Sequence, residues 1–245
     1  NGVWKIIVEP SVTYGTNGYF ILKDGNSVTD QSGNSNDWTV AGGTLTNTED
    51  NPSNVFNTFN SLDNFYANAT FSNGNNTVVT NASAFATSLS TLGMSSGKYY
   101  CEIKAVTIYN GYARFGISGS QASSNGFGNA ADEYVFMANN GQKRNNSTTS
   151  AYSGVAWNNN DIIGIAVDLD NNYIYFSRNG SWINSGNPAS GASGTNAAFT
   201  LGTPSTGFYY FGVNDADNAA SSENTYQANF GNGYFGTTAV ASAGT

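Results

Sequence analysis

The 245-residue chain is only 10% charged, against roughly a quarter in ordinary soluble proteins, yet it is 39% hydrophobic and 14% aromatic. That balance excludes a disordered tract, and the missing histidine and single cysteine exclude a Ser-His-Asp triad, a Cys-His pair, His-ligated zinc and an internal disulfide. A net charge of -8 disfavours nucleic acid and anionic membranes, and no apolar run reaches the roughly 20 residues that membrane insertion requires.

In chain order, residues 1–50 read as an N-terminal arm or linker. Gly15 to Gly43 is loop-rich, with one apolar burst at Tyr19-Phe20-Ile21-Leu22, and Trp4 and Trp38 are the tryptophans of the arm. Asn51-Pro52-Ser53 marks a boundary, beyond which a globular unit is predicted over 51–236, followed by a tail or a linker to a missing segment at 237–245. Helical periodicity is nearly absent, because Gly or Asn interrupts almost every window of ten residues. Period-two alternation replaces it. In Lys98 to Val106, Tyr99, Cys101, Ile103 and Ala105 share one face, which makes Cys101 a small buried hydrophobe rather than a nucleophile. Ile163, Ile165, Val167 and Leu169 do the same in the next clear strand. A turn at Asp170-Asn171-Asn172 leads into Tyr173-Ile174-Tyr175-Phe176, and Asn179-Gly180 closes that strand with a pair suited to positive φ. Further strands are predicted at 19–23, 65–71, 76–80, 112–118, 133–138, 198–202, 207–213 and 226–230. Many short strands between turns define an all-β, two-layer antiparallel sandwich.

Five segments in order resemble the SPRY domain family. Gly97-Lys98-Tyr99-Tyr100-Cys101-Glu102-Ile103 is similar to its opening strand and Ala113-Arg114-Phe115-Gly116-Ile117 to the next. Asp161 to Asp170 and Ile174 to Trp182 are similar to its central hairpin, and Asn229-Phe230-Gly231 to its close. The resemblance implies a concanavalin A-like jelly-roll sandwich and a non-catalytic binder that uses loops at one rim. Asp30 to Thr39, Asn51 to Phe56, Asn60 to Asn64 and Asn229 to Thr238 also resemble segments of tailed-phage virion proteins, marine ones especially. That likeness implies a tail fibre, spike or other surface appendage, an extracellular virion-surface setting, other virion proteins as partners and a homo-oligomer.

The rim loops implied by the resemblance are 118–133, 139–160 and 183–197. Within them Phe127, Tyr152 and Trp157 are candidate stacking platforms for a sugar face, with Asn140, Asn158, Asn159 and Asn160 as hydrogen-bonding groups; the competing reading makes the rings loop anchors. Trp182 is expected in the core. Asp168 and Asp170 stand at a spacing compatible with a glycosidase pair, but the SPRY likeness accounts for both as strand-end and turn residues, so no catalytic residue is assigned. Asp170 with Asn172, and Asp215 with Asp217, offer hard oxygens for calcium, against the ordinary preference of Asp and Asn for turns. No other cofactor is indicated. The expected function is attachment to a host-surface glycan or protein. The alternatives are a capsid-decorating or fibre-building module and, third, a glycan depolymerase.

Overall fold

The computed structural model describes residues 11–21, 27–43, 56–65, 69–80, 85–109, 111–121, 126–216 and 223–240. Contacts divide the chain into two units, Asn1–Phe56 and Asn57–Thr245.

The larger unit holds every strand assigned among the described residues. In chain order they are β1 (Phe59–Phe65), β2 (Thr70–Ser72), β3 (Thr77–Val79), β4 (Ala86–Ser90), β5 (Lys98–Thr107), β6 (Ala113–Ser118), β7 (Glu133–Met137), β8 (Lys143–Asn145) and β9 (Thr148–Ser150). They continue with β10 (Ile162–Asp168), β11 (Tyr173–Arg178), β12 (Ser181–Trp182), β13 (Phe199–Thr200), β14 (Tyr210–Asp215), β15 (Thr225–Asn229), β16 (Tyr234–Phe235) and β17 (Thr238–Ala239). One sheet runs β1-β4-β14-β6-β7-β8-β9 and the other β12-β11-β10-β5-β15-β3-β2, with β13 added to β11. All the pairings are antiparallel, and the unit is a two-layer β-sandwich.

The alternation read in the sequence sets the layers. Cys101, Ile103 and Ala105 of β5, and Ile163, Ile165 and Val167 of β10, point inward to meet Phe115 and Ile117 of β6 and Val213 of β14. Fully burying each Ile or Phe contributes about 1.5–3 kcal/mol. Burial raises the Cys101 thiol pKa well above its ordinary value, as expected of an inert core residue. Tyr226 crosses the core from β15 and donates its hydroxyl to the Asn214 carbonyl (2.8 Å) of the opposite sheet. The β10–β11 hairpin turns at Asp170–Asn172, with Asn172 at φ 62°, and Asn179-Gly180 (φ 49° and 78°) turns β11 into β12 as a two-residue hairpin loop.

Several expectations change. The presumed loop 139–160 carries the β8–β9 hairpin, which widens the seven-stranded sheet. The 183–197 segment forms two 3-10 turns, Ile183–Ser185 and Pro188–Ser193, and covers the outer side of β11, where Tyr175 is almost wholly buried. Strands β1 and β4 were not predicted. The run 237–245 read as a tail contains β17, which pairs with β16.

The smaller unit has no strand or helix among its described residues, and residues 19–21 of the expected 19–23 strand are irregular. Instead it is organised around one carboxylate. Asp30 accepts the N–H groups of Phe20 (2.8 Å), Ser32 (2.8 Å) and Asn36 (3.0 Å) and the Ser32 hydroxyl (2.7 Å). Burial would raise the Asp30 pKa, but these donors outweigh it and hold the carboxyl well below the usual range. Trp38 packs on Tyr19 at 4.8 Å, and Tyr14 stacks on Phe20 at 6.0 Å. Trp4 lies outside the described residues.

Candidate binding site at one end of the sandwich

Register decides which loops meet. Strand β6 pairs with β7 so that Ser118 faces Glu133 and Arg114 faces Met137. The 118–133 connection therefore sits at one end of this sheet and the 138–142 turn at the other. The expected rim of three converging loops does not form. The 138–142 turn meets the 151–161 segment through Trp157 N–H to Ala138 O (3.0 Å). That segment in turn meets the end of β5 through Asn160 N–H to Ala105 O (2.6 Å) and Ile108 N–H to Asn159 Oδ1 (2.8 Å), and the β11–β12 turn through the Asn179 amide to Asp161 (2.7 Å).

The three aromatic candidates are anchors, not platforms. Phe127 is fully buried on the outer side of the seven-stranded sheet, so close that a Cβ on Gly212 would stand 2.9 Å from its ring. Its loop is pinned by Glu133, whose carboxylate accepts the N–H groups of Gly128, Asn129 and Ala130 (2.8–3.0 Å). Trp157 is 5% exposed and lies between Phe115 (4.7 Å) and Phe136 (4.6 Å). Its indole N–H is buried without a partner. Tyr152 packs on Phe136 (5.4 Å) and Phe176, beneath the Lys143 ammonium, and burial pushes its phenol pKa up. The physical reason is common to all three. A long loop of small polar residues has no other apolar mass with which to fix its path, so its rings are drawn under it.

The asparagines fare differently. Asn158 and Asn159, with Asn139, Ile108, Gly111 and Trp157, line an open hollow of about 590 Å³. Asn159 accepts the Ile108 N–H through Oδ1 (2.8 Å), which turns its amide N–H₂ outward. Asn160 occupies the turn at φ 71°. Asn140 caps the neighbouring turn by accepting the Gln142 N–H (3.3 Å). All four expected asparagines are exposed at this end.

Behind the hollow, Asp161 holds the end together. Its carboxylate accepts the Asn158 N–H (2.7 Å), the Asn179 amide (2.7 Å) and Arg178 Nε (2.7 Å). Burial alone would raise its pKa; these donors outweigh that and keep it below the ordinary value.

On the other side of the 153–157 segment lies a second hollow of about 290 Å³, lined by Val155, Arg178, Ser181, Trp182, Ile183 and Asn184 together with Ser153. Trp182, expected in the core, is half-buried and faces outward. The β12 register sets it opposite Ser177, on the face away from Phe176, and its ring meets Tyr100 edge-on at 6.2 Å. The Tyr100 hydroxyl donates to Glu102 (2.9 Å), fixing that neighbour in turn. Sequence reasoning missed Arg178, Val155 and Asn139 as site residues. Only the Asn179-Gly180 turn, which brings Arg178 and Ser181 side by side, was a readable clue.

The remaining candidates serve the fold. Asp170 accepts the Gly97 N–H (2.8 Å) and Asn172 is the positive-φ turn residue, so this pair is a hairpin turn rather than a cation loop. Asp215 is fully buried and accepts the Thr80 hydroxyl (2.8 Å), while Asp217 lies outside the described residues. No group of three or more Asp, Glu or Cys residues suited to a metal occurs among the described residues. Asp168 is bound to Lys98 and Asn171, and burial, which would raise its pKa, is outweighed by them, so it is held low.

This two-layer antiparallel sandwich defines the class of fold. Residues 98–189 match the family model described as the SPRY domain. Among solved structures, the crystal structure of the SPRY domain of human HERC1 is similar, with a TM-score of 0.54 at 16% identity over 69% of this chain and 96% of that one. The fold is therefore that of a SPRY sandwich. No curated protein sequence matches the chain.

Proposed function

We propose that this chain is a non-enzymatic interaction module of a phage particle, carried on the virion surface, whose sandwich end binds a host-surface receptor, a glycan in the first instance. The observation that carries the reading is the hollow at Asn139, Asn158 and Asn159. Its polar groups are uncharged carboxamides, each able to donate and accept, held on a rim that buried Trp157 and Tyr152 make rigid. Such a surface recognises hydroxyl-rich partners without a matching charge pattern. The SPRY match over 98–189, a family typically built for interaction rather than chemistry, supports a binding role. The virion setting rests on the sequence likeness to phage proteins, and homo-oligomerisation belongs to that setting.

A second reading, assembly with other virion proteins, has one observation of its own. Strand β1 is an edge of the seven-stranded sheet, and its Leu62 is 94% exposed. Edge strands with apolar side chains are natural pairing surfaces. Cryo-electron microscopy of the intact particle separates the two. Attachment predicts the end formed by 107–109, 111–112, 138–142, 151–161 and 178–184 facing outward from a distal position. Burial of that end against other virion subunits, or absence of the chain from the particle, overturns the attachment reading.

A further inference from the structure

We infer that the second hollow, at Arg178 and Trp182, is a subsite for a carboxylate-bearing sugar, a uronic or sialic acid unit. The inference rests on the glycan reading above and specifies its ligand class. Three features carry it. First, Arg178 is the only formally charged residue lining the hollow among the described residues, and among them its side chain is hydrogen-bonded through Nε to Asp161 alone. Among the described residues its two terminal nitrogens have no hydrogen-bond partner, and this pair is the planar edge that receives a carboxylate bidentately. Asp161, bonded by three donors, already holds the guanidinium in place, so little order has to be bought on binding.

Second, the apolar wall fits one ring. Trp182 is half-buried and fixed by Tyr100, and Val155, 54% exposed, stands across the same hollow. An aromatic face beside an aliphatic rim suits the C–H side of a pyranose. Ser181 and Asn184 supply neutral polar groups for its hydroxyls; Asn184 spends its amide N–H on the Tyr152 carbonyl (2.9 Å), leaving Oδ1 to accept. Third, size matters. About 290 Å³ is the small end of ligand sites, room for a single ring rather than a folded partner. The carboxamide hollow across the 153–157 segment would then take the adjoining neutral sugars of the same chain.

The test uses the full chain and saturation-transfer NMR with isothermal titration. The probes are methyl glucuronide and the methyl glycoside of N-acetylneuraminic acid, against methyl glucoside and methyl galactoside. At least one acidic glycoside is expected to bind about tenfold or more tightly than the neutral ones. Trp182→Ala, at a half-buried ring that faces outward, should abolish that binding while the variant still unfolds cooperatively and keeps the parent chain's β-sheet circular dichroism. Arg178→Lys keeps the charge beside Asp161 but loses the planar edge, and should erase the preference for the acid. Equal binding of neutral and acidic sugars, binding untouched by Trp182→Ala, or stronger binding of free peptide carboxylates overturns the proposal. If host-surface glycan binds in the same assay and both acidic probes do not, this subsite alone is overturned. If no glycan binds, the reading on which it rests falls as well.

Discussion

Trp157→Ala is expected to destabilise the sandwich by about 3–5 kcal/mol, the range for deleting a buried large aromatic side chain. The ring is 5% exposed and fills the space between Phe115 and Phe136, at 4.7 and 4.6 Å, where the 151–161 segment closes over the core. Its removal leaves a cavity and also loosens the Trp157 N–H to Ala138 O bond that ties this segment to the 138–142 turn. For a chain of this length a loss of that size lowers the melting temperature by roughly 6–20 °C. Trp157→Phe retains most of the packing and discards an indole N–H that has no partner, so its cost should be far smaller. Thermal and urea unfolding of both variants checks this. An exposed stacking platform would behave oppositely, with Ala nearly neutral for stability and damaging only to binding.

Asp161→Asn should cost about 3 kcal/mol near neutral pH, the lower end for removing one partner of a buried ion pair, because Arg178 keeps 20% exposure. The substitution is nearly isosteric, so packing is preserved and the electrostatics are isolated. An amide at this position accepts from fewer of its three donors, and its own N–H₂ opposes either the Asn179 amide or the Arg178 guanidinium. The pH dependence carries a definite sign. The folded carboxyl titrates below its ordinary value, so its contribution is fully present above the unfolded pKa of about 3.9 and is lost as pH falls through the lower folded value. Parent and variant should therefore differ most above about pH 5 and converge in acid. Chemical denaturation from pH 2 to 7 measures the difference. A gap that widened in acid would contradict the assigned role.

Where alternation was strong, the fold was legible. Strands β5, β10 and β11 pair as their apolar faces demanded, because one side of each is buried and a one-residue slip would expose Ile103 or Ile165. Strands β8 and β9 were not legible. Lys143 to Ser150 is polar throughout, since the hairpin lies at a sheet edge with neither strand buried on either face. Strand β4 was hidden for another reason: Thr87, Ser88 and Ser90 are buried small polar residues that give no hydrophobic signal. The rim loops show the deeper limit. A phenylalanine or tryptophan among glycines and asparagines reads identically whether it stacks on a ligand or folds beneath its own loop. That choice is made by distant residues such as Phe136 for Trp157 and Gly212 for Phe127. The exposure of Asn158 and Asn159 was legible because a carboxamide in a polar loop needs no buried partner. That Arg178 and Trp182 line one hollow with Val155 was not legible, because only the fold brings them together.

Attachment through this end is tested most directly by an amide-resolved NMR map of the isotope-labelled chain, titrated with surface glycan extracted from host cells. Shifts are expected to be confined to residues 108–109, 111–112, 138–142, 153–161 and 178–184, the end where both hollows open. Shifts centred on 118–121, 126–133 and 202–208, at the opposite end, would contradict it.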